Sequence, residues 1–251
     1  SILETTSPRA WAFALLGIHE YLQLFAGDRR VSQVQEELAG RLMSLYKDNQ
    51  VDGWNWFEDK LTYCNAALSH AMLLCGQSIP NPAMTEVGLE SLGWLAELQH
   101  AETEGKHFVP IGSNGFYQRG SERARFDQQP VEAQAMVSAC LEAYRITGKK
   151  IWHKEARRAF EWFLGRNDLH LPVYDPTTGG CRDGLHPDRP NENQGAESTL
   201  AFLQSLLELR LAENIGQPNE HTHTEQSSQG TISALRTQPH SDSREMAVSS
   251  Q

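Results

Sequence analysis

Cys181 to Leu200 reads CRDGLHPDRPNENQGAESTL, and from Leu200 the chain continues as LAFLQSLLEL. A polar loop runs directly into an apolar helix that opens at Gly195, Ala196 and Glu197. The loop carries Arg182, Asp183, His186, Asp188, Arg189, Asn191, Glu192, Asn193 and Gln194. Burying so many hydrogen-bonding groups costs free energy unless each finds a partner. A helix N-terminus, with its free N–H groups and partial positive charge, is one place to find them.

The pattern recurs upstream. ERARFDQQPVEAQAMVSACLEAY, from Glu122 to Tyr144, places Gln129 and Glu132 at the spacing of Gln194 and Glu197, so both helices begin Gln-x-x-Glu. DGWNWFEDKLTYCNAALSHAMLL, from Asp52 to Leu74, is a looser third copy. Further out, Pro8 to Ala26 is apolar nearly all round, with Ser7 as N-cap and proline at the first helical position, and belongs in a core. Gly27 ends it, and Asp28 caps an amphipathic helix over Arg29 to Lys47.

Asn65 to Cys75 is again apolar, and Ala83 to Gln99 amphipathic. Pro130 to Ile146 and Lys149 to Gly165 repeat the pairing, and Gly195 to Ala212 closes the series. The long segment His100 to Gln128 contains HFVPIGSNGFYQRG, whose glycine, asparagine and apolar pairs predict a small hairpin or ordered excursion. Turns after the apolar helices are short, at Gly27-Asp28, Gly76 to Asn81 and Thr147-Gly148, whereas the loops before them are long and polar. The apolar helices therefore run one way and the amphipathic ones return outside them. This predicts an all-α partial (α/α) toroid of about seven helices, with its long polar loops on one face. It spans residues 1–213 and is incomplete at its N-terminus. Residues 214–251, rich in Ser, Thr, Gln and His without a period, read as a disordered polar tail.

A formal net charge of −10 argues against nucleic acid or an anionic membrane as partner. No apolar run approaches the roughly 18 residues that span a bilayer, and no signal peptide is visible. Cys64, Cys75, Cys140 and Cys181 form no CxxC pair and read as reduced, buried thiols of a cytosolic protein. The histidines are not spaced as zinc ligands, and neither a metal nor a cofactor is expected. His19 and His70, within apolar helices, are expected to be satisfied core residues. The absence of a Gly-rich phosphate loop and of βα alternation excludes a nucleotide-binding unit within the chain.

FVPIGSNGFYQRGSERARFDQQPVEAQA and YDPTTGGCRDGLHPDRPNENQGAESTLAFL look like the C-terminal helical domain of certain bacterial glycosyltransferases. More broadly, the chain from Ser1 to about Glu213 resembles the six-hairpin glycosidase-like superfamily. Those (α/α)6 barrels include many carbohydrate-active enzymes and the N-acylglucosamine 2-epimerase-like proteins. The resemblance implies a saccharide-recognising domain that accompanies a transferase unit. It also implies that substrate sits over the N-termini of the inner helices. A complete ring needs more hairpins than are legible here, so absent sequence, a partner or a second copy is expected to supply them. An incomplete ring leaves apolar flanks bare, which predicts a dimer or poor solubility.

On that face, carboxylates could act as general acid and base on a glycosidic bond. Asp127, Asp183, Glu192 and Glu197 are the catalytic candidates, with Glu132 beside them. Asp127 reads equally as a helix N-cap, and Glu132 and Glu197 as capping-box partners. Substrate binding falls to Trp54, Trp56, Glu58, Asp59, Arg125, Gln128, Arg182, His186, Asn191 and Gln194. Either tryptophan could stack on a sugar ring or pack inward. Arg125, Arg182 and Arg189 could hold hydroxyls or simply pair with neighbouring acids, as in Arg182-Asp183. His186 could serve as a base. Two rivals stand beside recognition: an active glycoside hydrolase or sugar epimerase, and a structural module whose loops merely bond one another.

Overall fold

The computed structural model describes residues 2–102 and 106–215 of the chain. The described fold is all-α: α1 (Pro8–Leu24), α2 (Arg29–Asn49), α3 (Ala66–Ser78), α4 (Pro82–Leu98), α5 (Pro130–Thr147), α6 (Lys150–Glu161) and α7 (Ala196–Ile215), with short 3-10 turns at Ile2–Glu4 and Trp162–Leu164. The sequence expected to be a disordered tail lies outside the described residues from 216 onward.

Local chemistry sets the helix boundaries. Ser7 Oγ accepts from Ala10 N with Pro8 in the first turn, and Asp28 accepts from the N–H groups of Arg30 and Val31 at 3.1 Å. Gly148, at φ 66°, ends α5 in the left-handed conformation. The first helix stops at Leu24 rather than reaching Ala26, because the Phe25 N–H makes the last bond to Tyr21 O.

Helix α3 is the hub: it packs on α1, α4 and α5, and buries Ala67, Leu68, Ala71, Met72, Leu73 and Cys75 around its circumference. Full burial of each large side chain stabilises by about 1.5–3 kcal/mol. Its approach to α4 is close enough that a Cβ on Gly76 would lie 2.7 Å from Thr85 N. The four cysteines are free and buried, and burial pushes the thiols of Cys75 and Cys181 up to about 12.

Of the two expectations for the segment after His100, the ordered excursion holds: it bonds to itself, with the Gly112 N–H donating to Ala124 O and the Ala124 N–H to Phe116 O, but its strand does not close a separate hairpin. Tyr117–Gln118 (β2) pairs antiparallel with Lys60–Leu61 (β1), tying the two long loops together. Nor is α1 wholly a core helix. Trp11, Ala12 and Leu15 are buried, but Phe13, Tyr21 and Leu24 are exposed because α2 and α3 cover only part of its circumference. Helix α7 likewise exposes Leu200, Leu203, Leu207 and Leu211. Among the described residues no helix is long and apolar enough to cross a membrane.

Candidate functional site

The N-termini of α1, α3, α5 and α7 are tied into one polar face by side chains that reach between elements. Arg9, in the first turn of α1, donates to Tyr63 O, to Glu58 and, at 3.0 Å, to Asn65 Oδ1. Glu132, in the first turn of α5, accepts from the backbone N–H groups of Cys64 and Asn65 and from Asn65 Nδ2 at 3.1 Å. It therefore caps α3, not its own helix. Burial raises the Glu132 carboxyl to about 7, although these three donors and Arg9 pull the other way. Glu197, its counterpart in α7, is exposed and caps nothing among the described residues. Its charge reaches Tyr63, whose phenol is raised first by burial and then by Glu197.

Asp183 closes the last helix from outside. Its Oδ1 accepts from Gly195 N at 2.7 Å and from Ser198 Oγ at 2.6 Å, while Oδ2 accepts from Asn193 Nδ2. Burial alone would raise this carboxyl, but the three donors outweigh it and hold the pKa below the ordinary value. The expected Arg182-Asp183 pair is not formed. Arg182 instead meets Glu192, whose side chain is 81% exposed. Replacing Asp183 by Ala is expected to lower α7 stability by about 1 kcal/mol through the lost cap, seen as earlier melting with little change in fold by circular dichroism.

Asp127 is not a helix cap. Gln129 holds the cap position of α5, and Asp127 Oδ1 lies 2.6 Å from His186 Nδ1. Both side chains are about one-third exposed, at 38% and 33%. They line a cavity of about 340 Å³ with Ser113, Asp183, Gly184 and Asn191. Its wall is stitched by the paired Gln128 and Leu185, whose N–H groups donate to each other's carbonyls at 3.0 and 2.9 Å. Gly184 makes this approach possible: at φ 154°, a Cβ there would lie 2.2 Å from Gln128 O.

Several predicted binding residues are committed elsewhere. Gln128 is fully buried, donating to Arg125 O and Asp168 and accepting from Trp162 Nε1. Arg125 grips Asp168 through two nitrogens at 2.8 and 2.9 Å. Trp54 and Trp56 are 4% and 0% exposed and pack against Trp94, so neither presents a ring to a ligand. Glu58 pairs with Arg9, whereas Asp59 is exposed and is bonded through its backbone carbonyl, which accepts from Arg119 N and Gln118 Nε2. Gln194 bonds Thr178 and Asp175, and Arg189 bonds Asp188. Asn191 stays at the cavity. Sequence reading passed over Ser113, which donates to Asp127 O at 3.2 Å, and Arg9; a hydroxyl in a polar loop and an arginine in a first turn carry no signal of their tertiary partners.

Chemically, the carboxylate of Asp127 fixes one nitrogen of His186 and leaves Nε2 without a protein partner among the described residues, the arrangement of an oriented base. Among the described residues no three His, Cys, Asp or Glu side chains are grouped to hold a metal. Comparison with protein-family models and with curated proteins finds no match to this chain.

Proposed function

We propose that the polar face binds a saccharide in the cavity beside Asp127 and His186, as a recognition domain serving a sugar-transferring unit. The observation that carries this reading is the Asp127–His186 pair. Asp127 is released from helix capping, bonded to His186 Nδ1, and placed in the wall of a cavity with Ser113 and Asn191. A saccharide offers hydroxyls that can donate to His186 Nε2 and to the second Asp127 oxygen while accepting from Asn191. The tight network around Gln128, Asp168 and Asp183 gives that cavity rigid walls, which lowers the ordering cost of binding.

The same pair could take a proton from a bound hydroxyl or an activated C–H, so turnover is tested together with binding. Hydrolysis by two carboxylates is less favoured, because Asp183 spends its oxygens on Gly195, Ser198 and Asn193. Asp127→Asn is expected to weaken saccharide binding at least about tenfold and to leave the melting temperature nearly unchanged, as its side chain is partly exposed. Calorimetry and a disaccharide hydrolysis assay on wild type and variant check this. Equal affinity in both would remove Asp127 from the site. Binding without turnover would support recognition over catalysis.

A further inference from the structure

A second and larger cavity lies away from the loop face. It has a volume of about 840 Å³ and is lined by residues of α1, α3, α5 and α7. Its walls contradict the expectation of a satisfied apolar interior. Gln134, Ser138, Glu142 and Arg145 form a polar stripe at helical spacing along α5, on the side facing the cavity. His19 and His70, expected in the core, line it instead, and His19 Nδ1 is buried with no partner among the described residues.

The acids in this cavity are unevenly served. Glu142 is held by Arg145 through both oxygens. Glu208 of α7 accepts one hydrogen bond, from Ser138 Oγ at 2.6 Å, and has no cation against it among the described residues. Burial raises its carboxyl above the ordinary value, the mark of an acid without a counter-charge. Burial also pushes the His70 imidazole down to about 4, so it is neutral and available as an acceptor or donor. The cavity thus offers a half-buried carboxylate without a counter-charge, beside the neutral hydrogen-bonding groups of Ser138, His19 and His70, with a further acid, Glu20, at its edge.

We infer that this cavity binds a small protonated amine bearing hydroxyl groups, of the amino-sugar class, with its ammonium on Glu208 and its hydroxyls toward Ser138, His19 and His70. A cation supplies the charge that Glu208 lacks, and the hydroxylated body suits a lining that holds the partnerless, buried Nδ1 of His19 and the hydroxyl of Ser138. This site is separate from the Asp127–His186 cavity and does not depend on it.

The test is calorimetric titration of the whole chain with glucosamine, N-acetylglucosamine and glucose. The expected result is that glucosamine binds, while the two uncharged sugars bind at least about tenfold more weakly at this site. Glu208→Gln should abolish the glucosamine preference and melt no earlier than wild type, because it removes a half-buried charge that has no counter-ion among the described residues. Ser138→Leu, which places an apolar side chain against Glu208 and removes the hydroxyl beside it, should also block glucosamine, whereas Asp127→Asn should not. Equal binding of glucosamine and N-acetylglucosamine, unaltered glucosamine binding in Glu208→Gln, or no glucosamine binding to wild type would each overturn the inference.

Discussion

Replacing Glu132 by alanine should cost the fold about 3 kcal/mol or more, because buried donors at the start of α3 lose their acceptor at once. The N–H groups of Cys64 and Asn65 and the amide of Asn65 all end on this one carboxylate. For a chain of this size that corresponds to a melting temperature lower by about 10 °C. The same side chain gives the stability a pH dependence. The Glu132 pKa is raised from 4.5 to about 7 in the folded protein, so the folded state holds the proton more tightly than the unfolded chain does. Its contribution is therefore complete below about pH 4.5 and is lost as pH climbs through about 7. Glu132→Gln should remove this part of the slope. Melting curves of wild type and Glu132→Gln between pH 5 and 8 should converge or cross. Parallel curves would show that Glu132 titrates normally and that its burial is relieved in solution.

Gly184→Ala is the second large effect. At φ 154° the residue adopts a conformation that side chains rarely tolerate, and the new Cβ would sit 2.2 Å from Gln128 O. Either the two bonds between Gln128 and Leu185 break or the 181–194 loop shifts as a unit. The expected cost is about 2–4 kcal/mol, and the Asp127–His186 contact should be lost with it. Hydrogen exchange can check this: the amides of Gln128 and Leu185 should lose protection while those of α3 and α4 keep theirs. Retained protection at both amides would mean that the loop tolerates the substitution.

The helices and their polarity were legible because their signals are local. Ser7-Pro8, Asp28 and Gly148 act on backbone groups a few residues away, and the alternation of short turns with long polar loops announced that helix N-termini share a face. The destinations of the polar side chains were not legible. Glu132 reads as a capping-box partner of α5, yet it caps α3, and nothing near either residue in the sequence links it to Cys64 and Asn65. Asp127 reads as a cap as readily as a reactive group, and only the meeting of two distant loops separates the readings. Trp54 and Trp56 sit in a polar loop, but the β1–β2 pairing folds that loop over Trp94 and seals them. The polar stripe of α5 was visible in the sequence as Gln134, Ser138, Glu142 and Arg145. It does not stand out there, because the helix buries an apolar face toward its neighbours as well.

Asp127 and His186 are the groups on which the functional reading rests, and saturation-transfer NMR addresses them most directly. Mono- and disaccharides would be screened against the whole chain and against His186→Gln, each at a pH where both proteins are folded. At least one sugar is expected to give a transfer signal with wild type and to lose it in the variant, with the two melting curves superposed. Signals of equal strength in both proteins, or none with wild type across the set, would contradict saccharide recognition by this pair and leave the polar face as the fastening of four helix ends.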